Sequence, residues 1–216
     1  MDDIRSYYCT VRLILASASP RRAGLLRSAG YTFDIVVADV DESMRPGELP
    51  AAYVRRLAAE KSAAALKGCA TSKGSRAKPG AAQGFSPEEA IVLGADTTVV
   101  VDGAILGKPR DDDDWRDMLR RLSGATHQVL TGISLRQGAY EVGRVETTSV
   151  VFRALTDEDM AWYLASGEGR DKAGGYAIQG LASRFIPSIA GSYSNVVGLP
   201  IATVDELLRS LLASRR

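Results

Sequence analysis

The stretch of residues 13–22 constrains the fold of this chain more than any other. Four apolar residues are followed by Ser-Ala-Ser-Pro-Arg-Arg. A short apolar run is typical of a buried strand, while Ser19 and Pro20 suit the N-cap and the first position of a helix. Helical spacing of apolar residues then continues to Ser28, just before Gly30. The sequence therefore predicts a strand, a tight turn and a helix.

This turn concentrates positive charge at the start of a helix. Arg21 and Arg22 lie in the first helical turn, where unpaired backbone N–H groups and the helix dipole also attract anions. Guanidinium groups add strong, directional hydrogen bonds to phosphate oxygens. Two interpretations stay open at this point, a phosphate-binding site and a basic helix start on the surface.

Composition excludes some classes of protein. The chain has 216 residues, 45% hydrophobic and 25% charged, which are ordinary values for one globular domain or two small ones. With 27 basic and 26 acidic residues and a net charge of +1, it has no global field for nucleic acid or a membrane surface. We therefore expect neither as a partner.

The ends of the chain and its cysteines bear on location. The Met1-Asp2-Asp3 start is acidic, unlike a signal peptide, and no apolar stretch reaches transmembrane length. Cys9 and Cys69 lack the spacing of a thiolate metal site, and a disulfide between them stays open. We expect a cytoplasmic protein with a leader at residues 1–10 and a single domain over 11–216.

Further elements follow from apolar periodicity and turn signals. An Asp102-Gly103 hairpin joins two apolar runs, and the Gly/Ala/Ser/Lys-rich residues 67–87 indicate a flexible insertion. The predicted strands lie at 33–37, 90–93, 99–101, 128–135, 140–152 and 185–189, and the predicted helices at 49–66, 111–122, 157–166 and 203–213.

Two carboxylates are candidates for chemistry. Glu42 ends the acidic cluster 39–42 after a predicted strand, where it could bind a metal or lie in a solvated turn. Asp96 lies between two strongly apolar segments, and a buried carboxylate needs a cation, a metal or several hydrogen bonds. The alternative for Asp96 is a turn cap. Asp96 and Lys108 bracket one hairpin and could face each other.

Three other features can be interpreted without a functional role. Lys61, on an amphipathic helix, could extend into solvent or point into a site. His127 is the only histidine and is more often structural at a strand start, and it excludes a metal site built from several histidines. The glycine-rich residues 171–180 match neither GxGxxG nor the phosphate loop GxxxxGK[ST], so neither common nucleotide-binding loop is present.

Eight segments together resemble the Maf family of nucleoside triphosphate pyrophosphatases. They occur in the order of that family and cover nearly the whole chain apart from the leader and the insertion. One such segment is weak evidence, whereas eight in order are highly specific. They are LASASPRR at 15–22, DVDE at 39–42, YVRRLAAEKS at 53–62, GADTTVV at 94–100, GKPRD at 107–111, LSGATHQVLTG at 122–132, DKAGGYAIQG at 171–180 and GSYSNVVGLP at 191–200.

The resemblance implies a fold and an activity. The fold would be α/β, with an elongated mixed sheet, flanking helices and two lobes around a deep central cleft, similar to inosine triphosphate pyrophosphatase. The activity would be metal-dependent hydrolysis, with Mg²⁺ or Mn²⁺, of a nucleoside triphosphate to the monophosphate and pyrophosphate. The form KAGxYxIQG at residues 172–180 resembles the branch acting on dTTP and UTP, with Ala177 where glycine is frequent. A homodimer is also implied.

The resemblance, together with the chemistry that the implied reaction needs, assigns roles to ten residues. Asp96 would be the proton acceptor or a metal ligand, and Glu42 the second metal ligand. The positively charged groups that bind the phosphates would be Arg21, Arg22, Lys61 and Lys108. Ser17 and Ser19 would be neutral hydrogen-bond donors to the phosphates. The choice of nucleotide would involve Arg21, Thr97 and Gln179. Two rival functions are a regulatory binding protein of the septum-inhibitor type and a purine-type house-cleaning pyrophosphatase.

Overall fold

The computed structural model describes residues 12–71 and 90–213, with the backbone alone for 69–71. The strands in these ranges are β1 (Arg12–Leu15), β2 (Phe33–Ile35), β3 (Ala90–Val101), β4 (Ala104–Leu106), β5 (Thr126–Gln137), β6 (Tyr140–Val151) and β7 (Ser188–Ala190). The helices are α1 (Pro20–Ser28), α2 (Pro50–Thr71), α3 (Asp112–Leu122), α4 (Asp157–Ser166), α5 (Tyr193–Val197) and α6 (Ile201–Ala213). Two 3₁₀ segments, Ala173–Gly175 and Leu181–Phe185, complete the list.

One mixed sheet contains all seven strands described. Its order is β2-β1-β3-β5-β6-β7, and β4 pairs with β3. β1 runs parallel to β2 and to β3, and every other pairing is antiparallel. A mixed α/β fold with flanking helices, as predicted, is therefore confirmed.

The long strand β3 is paired along most of one edge but only near the two ends of its other edge. Along one edge it pairs with β5 from Val92 to Val100. Along the other edge β1 pairs with Ala90 to Leu93, and β4 pairs with Val99 to Val101. Residues 94–98 consequently have no strand beside them on that edge. This interruption is the place where a cleft can enter the sheet.

Helices cover both faces of the sheet. α2 lies on one face, where its Ala65 and Leu66 pack with Ile14 and Val92. On the other face, α1 and α6 bury the outer half of the sheet in a cluster that contains Leu15, Leu26, Leu93 and Leu208. A second cluster on that face packs Trp115 of α3 and Tyr163 of α4 against Val99, Val101 and Phe152.

α2 approaches the sheet closely because two strand positions lack a side chain. A Cβ added to Gly94 would lie 2.2 Å from the carbonyl oxygen of Ala58, and one added to Gly132 would lie 2.2 Å from that of Val54. Both distances are far below van der Waals contact. The two glycines therefore let the backbone of α2 rest on β3 and β5.

The strand, turn and helix predicted from residues 13–30 are confirmed. Ser19 is the N-cap of α1, its hydroxyl accepts from the N–H of Arg22, and Pro20 takes the first position. The Asp102-Gly103 turn also forms, with φ of +50° and +74°. α4 begins with a capping box formed by Thr156 and Asp159, as its sequence suggests.

Three local predictions were wrong. β3 is one continuous strand of 12 residues, and residues 94–98 do not form a turn between two strands. Phe185 ends a 3₁₀ segment instead of starting a strand. α2 runs to Thr71 and not to about Leu66.

Some predictions fall outside the described residues. These are the leader at 1–10 and the part of the predicted 67–87 insertion that follows Thr71. Within the part of the chain that the structure describes, no helix is both long and apolar enough to cross a membrane.

Candidate active site

A cavity of about 660 Å³ lies at the open edge of β3. Successive strand residues point to opposite faces of a sheet. Asp96 accordingly faces α2, while Thr97 faces α1, and the cavity reaches both because it passes around the strand edge. All ten residues predicted for the site line this one cavity, namely Ser17, Ser19, Arg21, Arg22, Glu42, Lys61, Asp96, Thr97, Lys108 and Gln179.

The floor of the cavity is an ion triad. The ammonium group of Lys61, on α2, lies 2.6 Å from Oδ1 of Asp96 and 2.6 Å from Oε1 of Glu42. Lys61 and Asp96 are each only 8% exposed. Burial opposes the ionisation of Glu42, but Lys61, aided by Lys108 and Arg22, outweighs it and holds the pKa of Glu42 below its ordinary value. Lys61 therefore bridges the two carboxylates.

The Glu42 segment is held in place from α2. The hydroxyl of Tyr53 donates to the carbonyl oxygen of Glu42 at 2.9 Å. Arg56 donates to the carbonyl oxygen of Ser43 at 3.0 Å and to both carboxylate oxygens of Glu48, at 2.6 and 2.7 Å. Burial and the nearby carboxylates raise the pKa of Tyr53 to about 12, so it stays a donor at neutral pH.

The two carboxylates fit a divalent cation that is completed by other ligands. Two contacts of 2.6 Å to one nitrogen place the oxygens of Glu42 and Asp96 at most twice that, 5.2 Å, apart. Among the described residues, no group of three or more His, Cys, Asp or Glu side chains could hold a metal. Mg²⁺ is commonly bound by one or two carboxylates together with substrate phosphates and waters, which this donor set allows.

Arg22 forms one wall of the cavity, and its guanidinium makes no direct ion pair with a described carboxylate. Its guanidinium donates to four neutral oxygens: Ala95 O at 2.9 Å, Gly198 O at 2.8 Å, Thr97 Oγ1 at 3.1 Å and Ser17 Oγ at 3.2 Å. Burial lowers the pKa of Arg22 from its ordinary value, although an arginine remains charged. The side chain is fixed in place, and its positive charge remains available to an anion.

Beside it, the start of α1 presents further polar groups. Ser17 Oγ accepts from the N–H of Ser19 at 3.2 Å, which organises the turn before the helix. Arg21 is directed to the opposite wall, where its Nη1 lies 3.9 Å from a carboxylate oxygen of Asp171. Because that carboxylate is 73% exposed, the Arg21–Asp171 contact is weak and open to competition.

Two predicted residues make no hydrogen bond or ion pair within the described part of the chain. Lys108, after β4, is exposed and makes no ion pair or hydrogen bond to the residues that the structure describes. Gln179 is likewise exposed, and its side-chain amide has no hydrogen bond to described residues. Both groups line the cavity, so each can meet a ligand without first breaking a contact.

Thr97 has a different environment. Its hydroxyl contacts Arg22, the hydroxyl of Thr131 at 2.9 Å and the carbonyl oxygen of Gly198 at 3.3 Å. The predicted role of Thr97 in nucleotide choice would therefore operate partly through the position of Arg22.

Sequence reasoning missed several residues that line the cavity. Tyr53, Asp171 and Tyr176 line the cavity, although their motifs predict no role for them in the site. The 171–180 loop is anchored by Trp115, which donates to the carbonyl oxygen of Gly175 at 2.7 Å, and by a 2.7 Å contact between His127 Nε2 and the Tyr176 hydroxyl. Local sequence carries no signal for such contacts across 60 and 49 positions.

The family of the chain follows from a comparison of sequences. The model of the family described as Maf-like protein matches residues 12–211. This chain belongs to the Maf family. The resemblance of the eight segments is thereby confirmed, and the cavity lies where those Maf segments converge.

Relatives named dTTP/UTP pyrophosphatase match almost the full chain. One from Anaeromyxobacter dehalogenans (strain 2CP-C) is 46% identical over 202 residues, covering 92% of this chain and 93% of its own. One from Hahella chejuensis is 48% identical, with 92% and 91% covered. One from Escherichia coli O157:H7 is 45% identical, with 94% of each covered.

A solved structure, that of the Staphylococcus aureus Ham1 protein, aligns with 95% of this chain and 100% of its own at a TM-score of 0.47 and 13% identity. A likeness of this strength carries no argument about activity.

Proposed function

We propose that this chain is a nucleoside triphosphate pyrophosphatase that hydrolyses dTTP and UTP to the monophosphate and pyrophosphate. The observation that carries the proposal is the ion triad of Glu42, Lys61 and Asp96 at the floor of a cavity whose walls present Arg21, Arg22 and Lys108. Hydrolysis of a phosphoanhydride depends mainly on positioning and on neutralising phosphate charge. The names of relatives at 45–48% identity support the choice of dTTP and UTP.

The cationic walls would bind the triphosphate. Arg22 is held by four neutral oxygens and makes no ion pair with the residues that the structure describes, so a phosphate can approach its charge without displacing such a pair. Lys108 is free of partners among the described residues, and the weak Arg21–Asp171 contact can yield to a phosphate. Ser17 and Ser19 add neutral groups at the start of α1.

Asp96 would act on the attacking water. The water oxygen forms a bond to the α-phosphorus, the bond from that phosphorus to the bridging oxygen breaks, and pyrophosphate leaves with the electron pair. As a general base, Asp96 takes the proton of the water; as a metal ligand, it stays ionised. The ammonium group of Lys61 contacts Oδ1 of Asp96 at 2.6 Å and holds this side chain in place.

Glu42 and Asp96 would hold Mg²⁺ or Mn²⁺. Such a cation, when bound, neutralises phosphate charge and makes a neighbouring water more acidic. Lys61 lies between the same two carboxylates, so its ammonium group balances one of their two negative charges. Gln179 would read the pyrimidine, since its amide offers both a donor and an acceptor.

The test is pyrophosphate release from dTTP, UTP, GTP, ITP and modified pyrimidine triphosphates, with Mg²⁺, with Mn²⁺ and with a chelator. We expect dTTP and UTP to give the highest kcat/KM, with activity lost in the chelator. Preference for ITP would favour the purine-type enzyme. Release from no triphosphate would contradict the proposal and favour a regulatory binding protein.

Asp96→Asn tests the assignment within the site. Because a positioned acid or base typically contributes about 100-fold or more, we expect kcat to fall by at least that factor. Asp117→Asn is the matched control, since Asp117 is exposed on α3 and pairs only with Arg120 there. Full turnover by Asp96→Asn would refute the role of Asp96.

Two properties stay predictions. A homodimer is implied by family resemblance alone, and analytical ultracentrifugation tests it. A cytoplasmic location is tested by cell fractionation.

A further inference from the structure

Gln179 lines the cavity from a loop whose backbone is hydrogen-bonded to side chains on both sides of this residue. On one side, the N–H of Ala177 donates to the hydroxyl of Tyr163 at 3.2 Å. On the other side, the N–H of Leu181 donates to Oε1 of Glu168 at 2.9 Å, and that of Ala182 donates to Oε2 at 3.4 Å. These hydrogen bonds hold the backbone at residue 177 and at residues 181–182, and Gln179 lies between the two points.

Tyr163 and Glu168, the two side chains that bind the loop backbone, are also hydrogen-bonded to each other. The Tyr163 hydroxyl donates to Oε2 of Glu168 at 2.9 Å, so a single phenol links the two ends of the loop. Tyr163 is fully buried between Trp115 and Phe185, which it contacts edge-on. Burial and the Glu168 carboxylate raise the pKa of this phenol above its ordinary value, which keeps it protonated and able to donate.

The position of Glu168 also depends on the absence of a side chain at residue 180. A Cβ on Gly180 would lie 1.9 Å from Oε1 of Glu168, so the carboxylate occupies the space that any other residue at 180 would fill. The backbone directly after Gln179 thus lies against the carboxylate. Gln179 itself is exposed and makes no hydrogen bond to described residues. The backbone therefore sets the position of the Gln179 Cα atom and the direction of its Cα–Cβ bond, and contacts of the amide to described residues do not.

We propose that the Tyr163–Glu168 pair is a positioning device that sets the orientation of Gln179 and thereby the preference for a pyrimidine triphosphate. The inference rests on the proposed function, because it assumes that Gln179 reads the base. Neither Tyr163 nor Glu168 lines the cavity. Both act through the 171–182 backbone and touch no substrate.

The variant Glu168→Gln tests the pair. Its amide nitrogen would face donors that now meet a carboxylate oxygen, and hydrogen bonds to charged acceptors are the stronger kind. We expect the ratio of kcat/KM for UTP to that for GTP to fall about tenfold or more. Glu158→Gln, in the exposed first turn of α4, is the matched control and should keep the wild-type ratio.

A double mutant separates positioning from a general loss of structure. In a Gln179→Ala background, the residue to be oriented is gone, so adding Glu168→Gln should leave the UTP/GTP ratio unchanged. If Glu168→Gln lowers both activities equally at a constant ratio, the pair is merely structural and the proposal is overturned. If Glu168→Gln does not fold, Tyr163→Phe takes its place. Its UTP/GTP ratio of kcat/KM is then measured alone and in the Gln179→Ala background.

The same measurements distinguish the two proposals. A wild-type protein that releases no pyrophosphate, or that does not prefer UTP over GTP, contradicts the proposed function. A wild-type protein that prefers UTP, with a Glu168→Gln variant that keeps the preference, contradicts only the positioning role.

Discussion

Acid should destabilise this protein through its only histidine. His127 is 1% exposed, its ring packs edge-on against Phe152 and Tyr176, and its Nδ1 has no hydrogen-bond partner among the residues of 12–71 and 90–213. Burial lowers the pKa of His127 from 6.5 to about 4. The unfolded chain therefore takes up a proton near pH 6.5, and the folded chain only near pH 4.

The size of the effect follows from that pKa difference. One pKa unit corresponds to about 1.4 kcal/mol, so a difference of about 2.5 units is worth about 3 kcal/mol. Between these two pKa values the unfolded state binds more protons, so stability is fully present above pH 6.5 and declines as the pH falls towards 4. Most of that loss is complete at about pH 4.

Urea unfolding at pH values from about 7.5 to about 4 measures the effect. Other groups also titrate in this range, so the comparison is with His127→Gln, which retains polar groups but does not titrate. We expect the wild-type free energy of unfolding to fall by about 2–3 kcal/mol more than that of the variant. Parallel pH profiles for the two proteins would refute the reasoning.

Three further predictions concern the sheet, the cavity wall and a helix cap. Gly94→Ala should destabilise by about 2 kcal/mol or more, because the new methyl group meets the carbonyl of Ala58, whereas Gly24→Ala, with open space around its Cβ, should not; thermal unfolding compares them. Arg22→Lys keeps the charge but cannot span four acceptors, so kcat/KM in pyrophosphate release should fall about tenfold or more, and an unchanged value would contradict the wall described. Thr156→Ala should cost about 1 kcal/mol of stability and leave kcat/KM unchanged.

Local signals predicted the elements best where the decisive contacts are close in sequence. Ser19, Pro20 and Asp102-Gly103 act within a few residues, and each does what its residue type suggests. The strand break predicted at 94–98 failed for the opposite reason. Asp96 and Gly94 look like turn residues, but Lys61, 35 positions earlier, accommodates the first, and close packing of α2 requires the second.

The candidate site shows the same limit. Residue type and family resemblance selected ten side chains that line one cavity. They did not show that Lys61 lies between Glu42 and Asp96 instead of being free for phosphate, or that Thr97 is engaged with Arg22. These relations depend on packing between segments far apart in the chain. Periodicity and motif spacing contain no information about them.

The interruption in the sheet beside β3 has a consequence for association between molecules. An open strand edge is usually a template on which another chain can add a strand and start aggregation. Here the gap spans only residues 94–98, with β1 and β4 closing it at either end. Arg22 lies in this gap, and its guanidinium donates a hydrogen bond to the carbonyl oxygen of Ala95. The fold thus obtains an opening in the middle of its sheet while denying that edge to a second chain.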